Sequence, residues 1–257
     1  MLLYINTVCD YITSWIRTIA ETSKKHSLLC VITGGADSCL NAAMVLRATS
    51  YIPVCLVFMG FKSENEDVFE KWVVANFPPE HYKIIKPQHQ PFSDPDLANI
   101  DARLSLIPAY VDVYSRANDA LTFGGLTRSE YALVKFFKSR VDDPYDYFPL
   151  IDLYKSECVQ LIDFIGMPKE ILNAKSITEN SFGFTFDELE WLDREDQQLS
   201  IVSASNFPNL APHWALFNDR KKLLLTKVFQ MKSANKNKTI PDQKQCLVRK
   251  SLPGAIS

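Results

Sequence analysis

Leu28-Leu29-Cys30-Val31-Ile32-Thr33-Gly34-Gly35-Ala36-Asp37-Ser38 is the stretch on which the fold turns. Five apolar residues end abruptly in Thr-Gly-Gly, and a helix-compatible segment, residues 36–48, starts at once. The order reads as strand, glycine turn, helix N-terminus. The first turn of a helix has backbone N–H groups with no intrahelical partner, and the macrodipole makes that end partly positive. Two glycines let the backbone approach an anion closely, and Thr33 and Ser38 add hydroxyl donors. The stretch is therefore expected to cradle phosphate. The Gly-x-x-x-x-Gly-Lys spacing of a Walker A loop is absent. Asp37, inside the cradle, would repel phosphate unless a divalent cation lay between them, so the stretch reads as a site for phosphate plus Mg²⁺. The plainer reading is a Gly-Gly turn ahead of a helix capped by Ser or Asp.

Working outward, residues 53–59 form a second unbroken apolar run and predict a fully buried strand. Shorter strands are expected at 82–86 and at 120–124, the latter again running into Gly-Gly. Helical spacing predicts helices over 3–24, 63–76, 96–118 (bent at Pro108), 127–137, 153–164, 168–173 and 212–231, with another starting at 186. Strands alternating with helices predict an α/β fold, a doubly wound, mostly parallel sheet flanked by helices. Ligands bind such sheets outside the carboxyl ends of the strands, where 33–38, 59–62 and 124–130 fall. Residues 138–148, polar and with three aspartates, predict a loop long enough to suggest function. No composition break divides the chain. One domain is expected over 1–240, with a partly disordered tail over 241–257.

The 257 residues are 47% hydrophobic with only eight glycines, which marks an ordinary globular protein. A net charge of −2 gives no drive toward nucleic acid or an anionic membrane. Six cysteines lie scattered without a CxxC pair, several in apolar runs, and predict buried free thiols in a reducing compartment. The four histidines lack ligand spacing and receive no role. The N-terminus has no basic region or cleavage site, and no apolar run approaches the ~20 residues needed to span a bilayer. A soluble cytoplasmic protein is expected.

Thr33 to Ser38 resembles the Ser-Gly-Gly-x-Asp-Ser loop of the N-type ATP pyrophosphatases. Later segments narrow the resemblance to the ammonia-dependent NAD synthetases. Asn99-Ile100-Asp101-Ala102-Arg103 resembles their Asn-x-x-Ala-Arg, and Gly124-Gly125-Leu126-Thr127-Arg128-Ser129-Glu130 their Gly-Thr-Asn-x-[Ser/Thr]-Glu. Residues 137–142 stand where the family has Phe-Thr-Lys-Tyr-Gly-Asp-Gly. Pro149 to Lys155 is similar to Pro-Ile-x-Asp-Leu-Tyr-Lys. Lys175 to Glu179, followed by Phe186-Asp187-Glu188-Leu189, resembles Pro-Ser-Ala-Glu and its Tyr-Asp-Glu-Leu helix, and Asn235-Lys236-Asn237 faintly echoes a terminal His-Lys-Arg. Each motif is weak alone; their order and spacing from 28 to 192 are specific.

The resemblance implies an adenine nucleotide alpha-hydrolase-like, Rossmann-like fold and a reaction. ATP adenylylates the nicotinate carboxylate of deamido-NAD, pyrophosphate leaves, and ammonia attacks the acyl adenylate. It implies Asp37 and Glu130 as Mg²⁺ ligands, and Lys155 on the β- and γ-phosphates. Thr33, Gly34, Gly35, Ser38, Met59, Arg103, Gly125 and either Ser176 or Thr178 would lie around ATP. Asp142 would sit by the pyridine ring and orient ammonium, with Lys138 and Lys236 on deamido-NAD. Each has a plainer reading: a solvated helix acid for Glu130, a surface lysine for Lys155, a salt-bridged helix face for Arg103, a loop acid for Asp142. The family forms homodimers, and the apolar helix at 3–24 would suit such a contact. A chain starting one helix before the loop carries no glutaminase domain, so ammonia is expected free or from a separate partner.

The chain departs from the pattern at several positions. Thr33 replaces serine but keeps the hydroxyl. Asp101 replaces lysine, Ser105 arginine, Gly125 threonine, Ser139 lysine (with Lys138 adjacent) and Asn235 histidine, and Val141-Asp142-Asp143 stands for Gly-Asp-Gly. The changes fall more on groups facing the second substrate than on those for ATP and metal. Two further readings stay open: another N-type ATP pyrophosphatase with a different acceptor, and a nucleotide-binding relative that performs no catalysis. A tRNA-modifying enzyme would show a basic appended domain or catalytic cysteines, and neither is visible.

Overall fold

The computed structural model describes residues 4–60, 63–87, 106–134, 144–173, 185–188, 190 and 244–252. Four strands, β1 (Ser27–Ile32), β2 (Val54–Phe58), β3 (Tyr82–Ile85) and β4 (Ala120–Phe123), form one parallel sheet in the order β3-β2-β1-β4. Leu28 lies opposite Val54 on one side and Leu121 on the other, which places β1 inside the sheet. Every residue of β1, β2 and β4 is buried. A strand covered on both faces has no use for polar alternation, which is why 28–32 and 54–58 read as continuous apolar runs.

The two-residue period of a strand divides β1 between two cores. Leu28, Cys30 and Ile32 join the larger cluster, with α1 (Ile5–Ser23), α2 (Ala36–Ala48), Phe69 and Val73 of α3 (Ser63–Asn76), and Leu161 and Ile162 of α6 (Lys155–Phe164). Leu29 and Val31 join the smaller, with Ile107 and Val111 of α4 (Ile107–Ala117) and with Tyr145 and Phe148. Helix α2 is apolar almost all round and nearly enclosed. Its Asn41 donates from Nδ2 to the Phe123 carbonyl at 2.9 Å, tying the helix to the end of β4. The apolar stripe of α1 (Val8, Ile12, Ile16, Ala20) packs inward against α2, α6 and α7 (Val248–Ser251). That stripe is thus part of the chain's own core.

The chain runs outward from β1 to β2 and β3, then crosses back to β4 on the other side of β1. The reversal opens a crevice at the carboxyl ends of β1 and β4, where Thr33–Ser38 and Gly124–Glu130 meet. Helix α5 (Arg128–Val134) starts there. The six cysteines are buried and free. Among the described residues no helix is long and apolar enough to cross a membrane.

Four sequence expectations change. Pro108 does not bend a helix: it occupies the first turn of α4, where a missing N–H costs nothing; residues 96–105 lie outside the described residues. Of the loop expected at 138–148, the described part, residues 144–148, sends two side chains into the core. Tyr145 and Phe148 are buried, Gly124 N–H donates to the Tyr147 carbonyl at 2.9 Å, and Tyr147 bridges Phe123 in parallel. Their aromatic rings need cover, and β4 supplies it. Residues 244–252, expected within a loose tail, are docked: Phe148 bridges Gln245, and Cys246 and Val248 enter the larger core. Segment 168–173 is a 3₁₀ turn, Lys169–Asn173. The helices expected at 96–105, 135–137 and 212–231 lie outside the described residues.

Gly124 permits the close approach of β4 to residues 145–148. A Cβ there would lie 2.7 Å from Phe148 Cε1 and 2.9 Å from Tyr145 Cγ. Gly124→Ala is expected to lower stability by about 1–3 kcal/mol through overpacking. Urea denaturation measures it, and an unchanged midpoint would show that the two rings yield freely.

Candidate active site

At the carboxyl ends of β1 and β4, the ammonium of Lys155 lies 2.7 Å from Asp37 Oδ2 and 3.2 Å from Glu130 Oε1. Each side chain stands on the first turn of a helix, Asp37 on α2, Glu130 on α5 and Lys155 on α6. Residues from three separate motifs meet because three helices start at one edge of a parallel sheet. The three side chains are only 22%, 12% and 19% exposed for Asp37, Glu130 and Lys155. Burial alone would lower the lysine pKa. The charges of Asp37 and Glu130, and the hydrogen bonds they accept, outweigh it and raise the pKa well above the ordinary value. The Phe186 ring adds a face to the ammonium, its centroid 3.9 Å from Nζ.

The glycine loop is held by its own hydroxyls. Thr33 donates from Oγ1 to Ser38 Oγ at 3.1 Å, the Thr33 N–H donates to the same oxygen at 3.2 Å, and Ser38 donates to the Gly35 carbonyl at 2.9 Å. The two hydroxyls expected to face phosphate therefore shape the loop, and the first-turn N–H groups of α2 are left to meet an anion. Gly34 has φ +69°, a left-handed conformation that favours glycine. Asn65 on α3 fixes that peptide by donating to the Gly34 carbonyl at 2.9 Å. Gly125 fits tightly against the loop: a Cβ there would meet the Asp37 carbonyl oxygen at 3.1 Å. Where the resembled motif has threonine, this chain lets the β4 loop close on Asp37.

Glu130 serves two elements. Its Oε2 accepts from Thr127 N–H at 3.2 Å and Thr127 Oγ1 at 3.0 Å, which caps α5, and its Oε1 faces Lys155. The Thr-x-x-Glu spacing is a helix-start signature readable in the sequence. Ser129 Oγ accepts the Lys155 N–H at 3.1 Å and donates to Glu190 at 2.9 Å. Glu190 also accepts the Ser156 N–H at 3.1 Å, so it holds the start of α6. Ser129 and Phe186 stand in two of the motifs quoted above, although nothing in those motifs states their contacts with the Lys155 turn; Glu190 and Asn65 stand in none, and tertiary contact alone identifies them.

Met59 lies at the end of β2 with its side chain in the smaller core, and its N–H donates to Ile32 at 3.0 Å. Arg103, Lys138, Asp142, Ser176, Thr178 and Lys236 lie outside the described residues, as do the departures at Asp101, Ser105 and Val141. Among the described residues no cluster of three or more His, Cys, Asp or Glu could hold a metal. Asp37 and Glu130 nevertheless face one cationic centre, the Lys155 ammonium, and two hard carboxylates are the donor type that would suit Mg²⁺.

The family model for NAD synthase matches residues 7–190. The chain belongs to the NAD synthase family. Among curated relatives, the NH(3)-dependent NAD(+) synthetase of Finegoldia magna is 25% identical over 201 residues, covering 71% of this chain and 82% of the relative. That of Thermococcus sibiricus is 29% identical over 224 residues, covering 78% and 87%. Two solved structures share the NAD synthase fold. An NH3-dependent NAD synthetase from Campylobacter jejuni superposes with TM-score 0.64 at 20% identity, covering 92% of this chain and 97% of that one. An NMN synthetase from Francisella tularensis gives TM-score 0.64 at 15% identity, covering 92% and 98%.

In this NAD synthase the lysine pairing has a defined pH signature. A lysine whose pKa is raised by folding contributes its stability in full below its unfolded value and loses it as pH rises through the folded value. The stability gap between wild type and Lys155→Met is thus expected to stay constant through neutral pH and to narrow only above the ordinary lysine value of 10.5. Denaturation series at several pH values measure it; a gap already closing at neutral pH would show an uncharged lysine.

Proposed function

We propose that the protein is an ammonia-dependent NAD synthetase that activates deamido-NAD with ATP. The nicotinate carboxylate is a poor acyl donor because its leaving group would be oxide. Attack of a carboxylate oxygen on the α-phosphorus of ATP expels pyrophosphate and makes an acyl adenylate. Ammonia adds to that carbonyl, a proton is lost, and AMP leaves to give the amide. The observation that supports this reading best is the meeting of Asp37, Glu130 and Lys155, drawn from three motifs that occur in the family's order.

The chain's residues divide the work. Gly34, Gly35 and the first-turn N–H groups of α2 take phosphate oxygens. Lys155 donates to the β- and γ-phosphates, as a point charge aimed at the charge that develops on pyrophosphate. Asp37 and Glu130 would hold Mg²⁺, which when bound offsets triphosphate charge. Thr33 and Ser38 keep the loop in shape. Arg103, Gly125, Met59 and one of Ser176 and Thr178 complete the ATP side. Asp142, Lys138 and Lys236 serve deamido-NAD, with Asp142 taking the ammonium proton. The enzyme acts in the cytoplasm as a homodimer.

Pyrophosphate release from ATP and Mg²⁺ tests the reading, with deamido-NAD and ammonium each present or omitted. Release is expected to require deamido-NAD, and NAD to appear only when ammonium is added. Release independent of deamido-NAD would mean a different acceptor, and ATP binding without release a relative that performs no catalysis. Lys155→Met is expected to lower kcat on the order of 10²-fold, the scale for removing one preorganised donor.

A further inference from the structure

The turn that delivers Lys155 is gripped by a residue far along the chain. Arg249, on α7, donates from Nη2 to Glu157 Oε1 at 2.6 Å and Oε2 at 2.8 Å. Its main-chain N–H donates to Asp152 Oδ2 at 2.6 Å, and its Nη1 donates to the Asp152 carbonyl. Its guanidinium carbon lies 4.5 Å from the centroid of the Tyr154 ring. Arg249 thus touches residues 152, 154 and 157, on both sides of Lys155 and from 97 residues beyond Asp152. Asp152 also takes the Arg128 guanidinium at 3.2 Å, and the Arg128 N–H donates to the Leu153 carbonyl at 2.8 Å. Arg128 opens α5, the helix that bears Glu130.

We propose that Arg249 is a positioning residue for the reaction: its grip on Asp152, Tyr154 and Glu157 sets Lys155 against Asp37 and Glu130. The inference rests on the reading of Lys155 as the phosphate ligand. Glu157 is fully buried and accepts the Tyr154 N–H at 2.8 Å, so it caps the turn of α6 that carries Lys155. A buried carboxylate needs a charged partner with matched geometry, and a planar guanidinium reaches Glu157 and the Asp152 carbonyl from two different nitrogens held in one fixed plane. Ser129 and Glu190 hold the N–H groups of Lys155 and Ser156, while Arg249 holds the residues flanking them. Without Arg249, the turn loses its hold at three residues, and the ammonium one residue past Tyr154 moves relative to its two acids. The segment 244–252 is therefore part of the machinery of the site, although it reaches no substrate group itself.

The double variant Arg249→Met/Glu157→Gln separates positioning from folding. It removes the guanidinium together with the buried charge that would otherwise stand unpaired, and the glutamine oxygen can still accept the Tyr154 N–H. Two readouts are compared on folded protein: calorimetric affinity for inorganic pyrophosphate with KM for ATP, and the rate at which an acetyl N-hydroxysuccinimide ester modifies Lys155, followed by peptide mass spectrometry. The variant is expected to bind pyrophosphate about tenfold more weakly, to raise KM for ATP more than it lowers kcat, and to expose Lys155 to acetylation about tenfold faster, the scale of a small misplacement at a preorganised site. Glu157→Gln alone, which loses the charge pair but keeps the Arg249 contacts to Asp152 and Tyr154, is expected to shift both readouts by less than the double variant; a shift as large as the double variant's would assign the positioning to Glu157 rather than to Arg249 and overturn the proposal. Wild-type acetylation rate and affinity in the double variant would overturn the proposal. Should that variant not fold, Arg249→Lys is measured the same way; a smaller rise in both readouts is expected, and no change overturns the idea. Absence of pyrophosphate binding by the wild-type protein would instead defeat the phosphate role of Lys155, and the acetylation comparison would still decide whether Arg249 positions it.

Discussion

Asp37 and Glu130 bring two negative charges to adjacent strand ends, and a cation between them lets both helix starts pack side by side. The Lys155 ammonium is that cation. Like charges at this separation in a half-buried crevice repel strongly, because little water is left to screen them. The arrangement therefore couples three elements at once. Shift α6, and the lysine leaves; remove the lysine, and α2 and α5 carry an uncompensated pair. The chemistry proposed for ATP would replace this internal pairing with contacts to an arriving polyanion.

Alternating charge continues behind the site. Lys155 sits between two acids, Asp152 pairs with Arg128, and Glu157 pairs with Arg249, whose main-chain N–H also donates to Asp152. Tyr154 lies against both guanidiniums, with centroid distances of 5.5 Å to Arg128 and 4.5 Å to Arg249. Asp152 and Glu157 each have an opposite charge in contact, so the cost of taking them out of water is offset locally. The same chain of contacts joins α5, α6 and α7, segments that have no common stretch of sequence. Lys155 is thereby located relative to the whole carboxyl edge of the sheet rather than by its own loop alone.

The legible parts of the chain were those where local chemistry and tertiary demand agree. The continuous apolar runs at 28–32 and 54–58 could only be strands covered on both faces, and the glycine pair after the first fixed where α2 starts. Asp37, Glu130 and Lys155, whose side chains meet in the structure, each sit in an ordered motif of the sequence. Glu130 and Thr127 also carried a helix-start spacing that states the capping role. Pro108 misled because proline reads alike as a bend and as a first-turn residue. Tyr145 and Phe148 misled because aspartates around them gave a polar average, while burial depended on where β4 runs.

Sequence by itself determined the alternation of strands and helices, the glycine loop at the first crossing, and the family to which the chain belongs. Those features are local or ordered along the chain, so residue type and spacing record them. Only the tertiary structure decided that Thr33 and Ser38 bond to one another, that the apolar stripe of α1 is internal, that Phe186 faces the lysine ammonium, and that Glu190 and Arg249 hold the residues flanking it in the chain. These contacts join residues far apart in the chain, and no spacing encodes them. Their partners are fixed by the strand order β3-β2-β1-β4, which brings the starts of α2, α5 and α6 to one edge of the sheet.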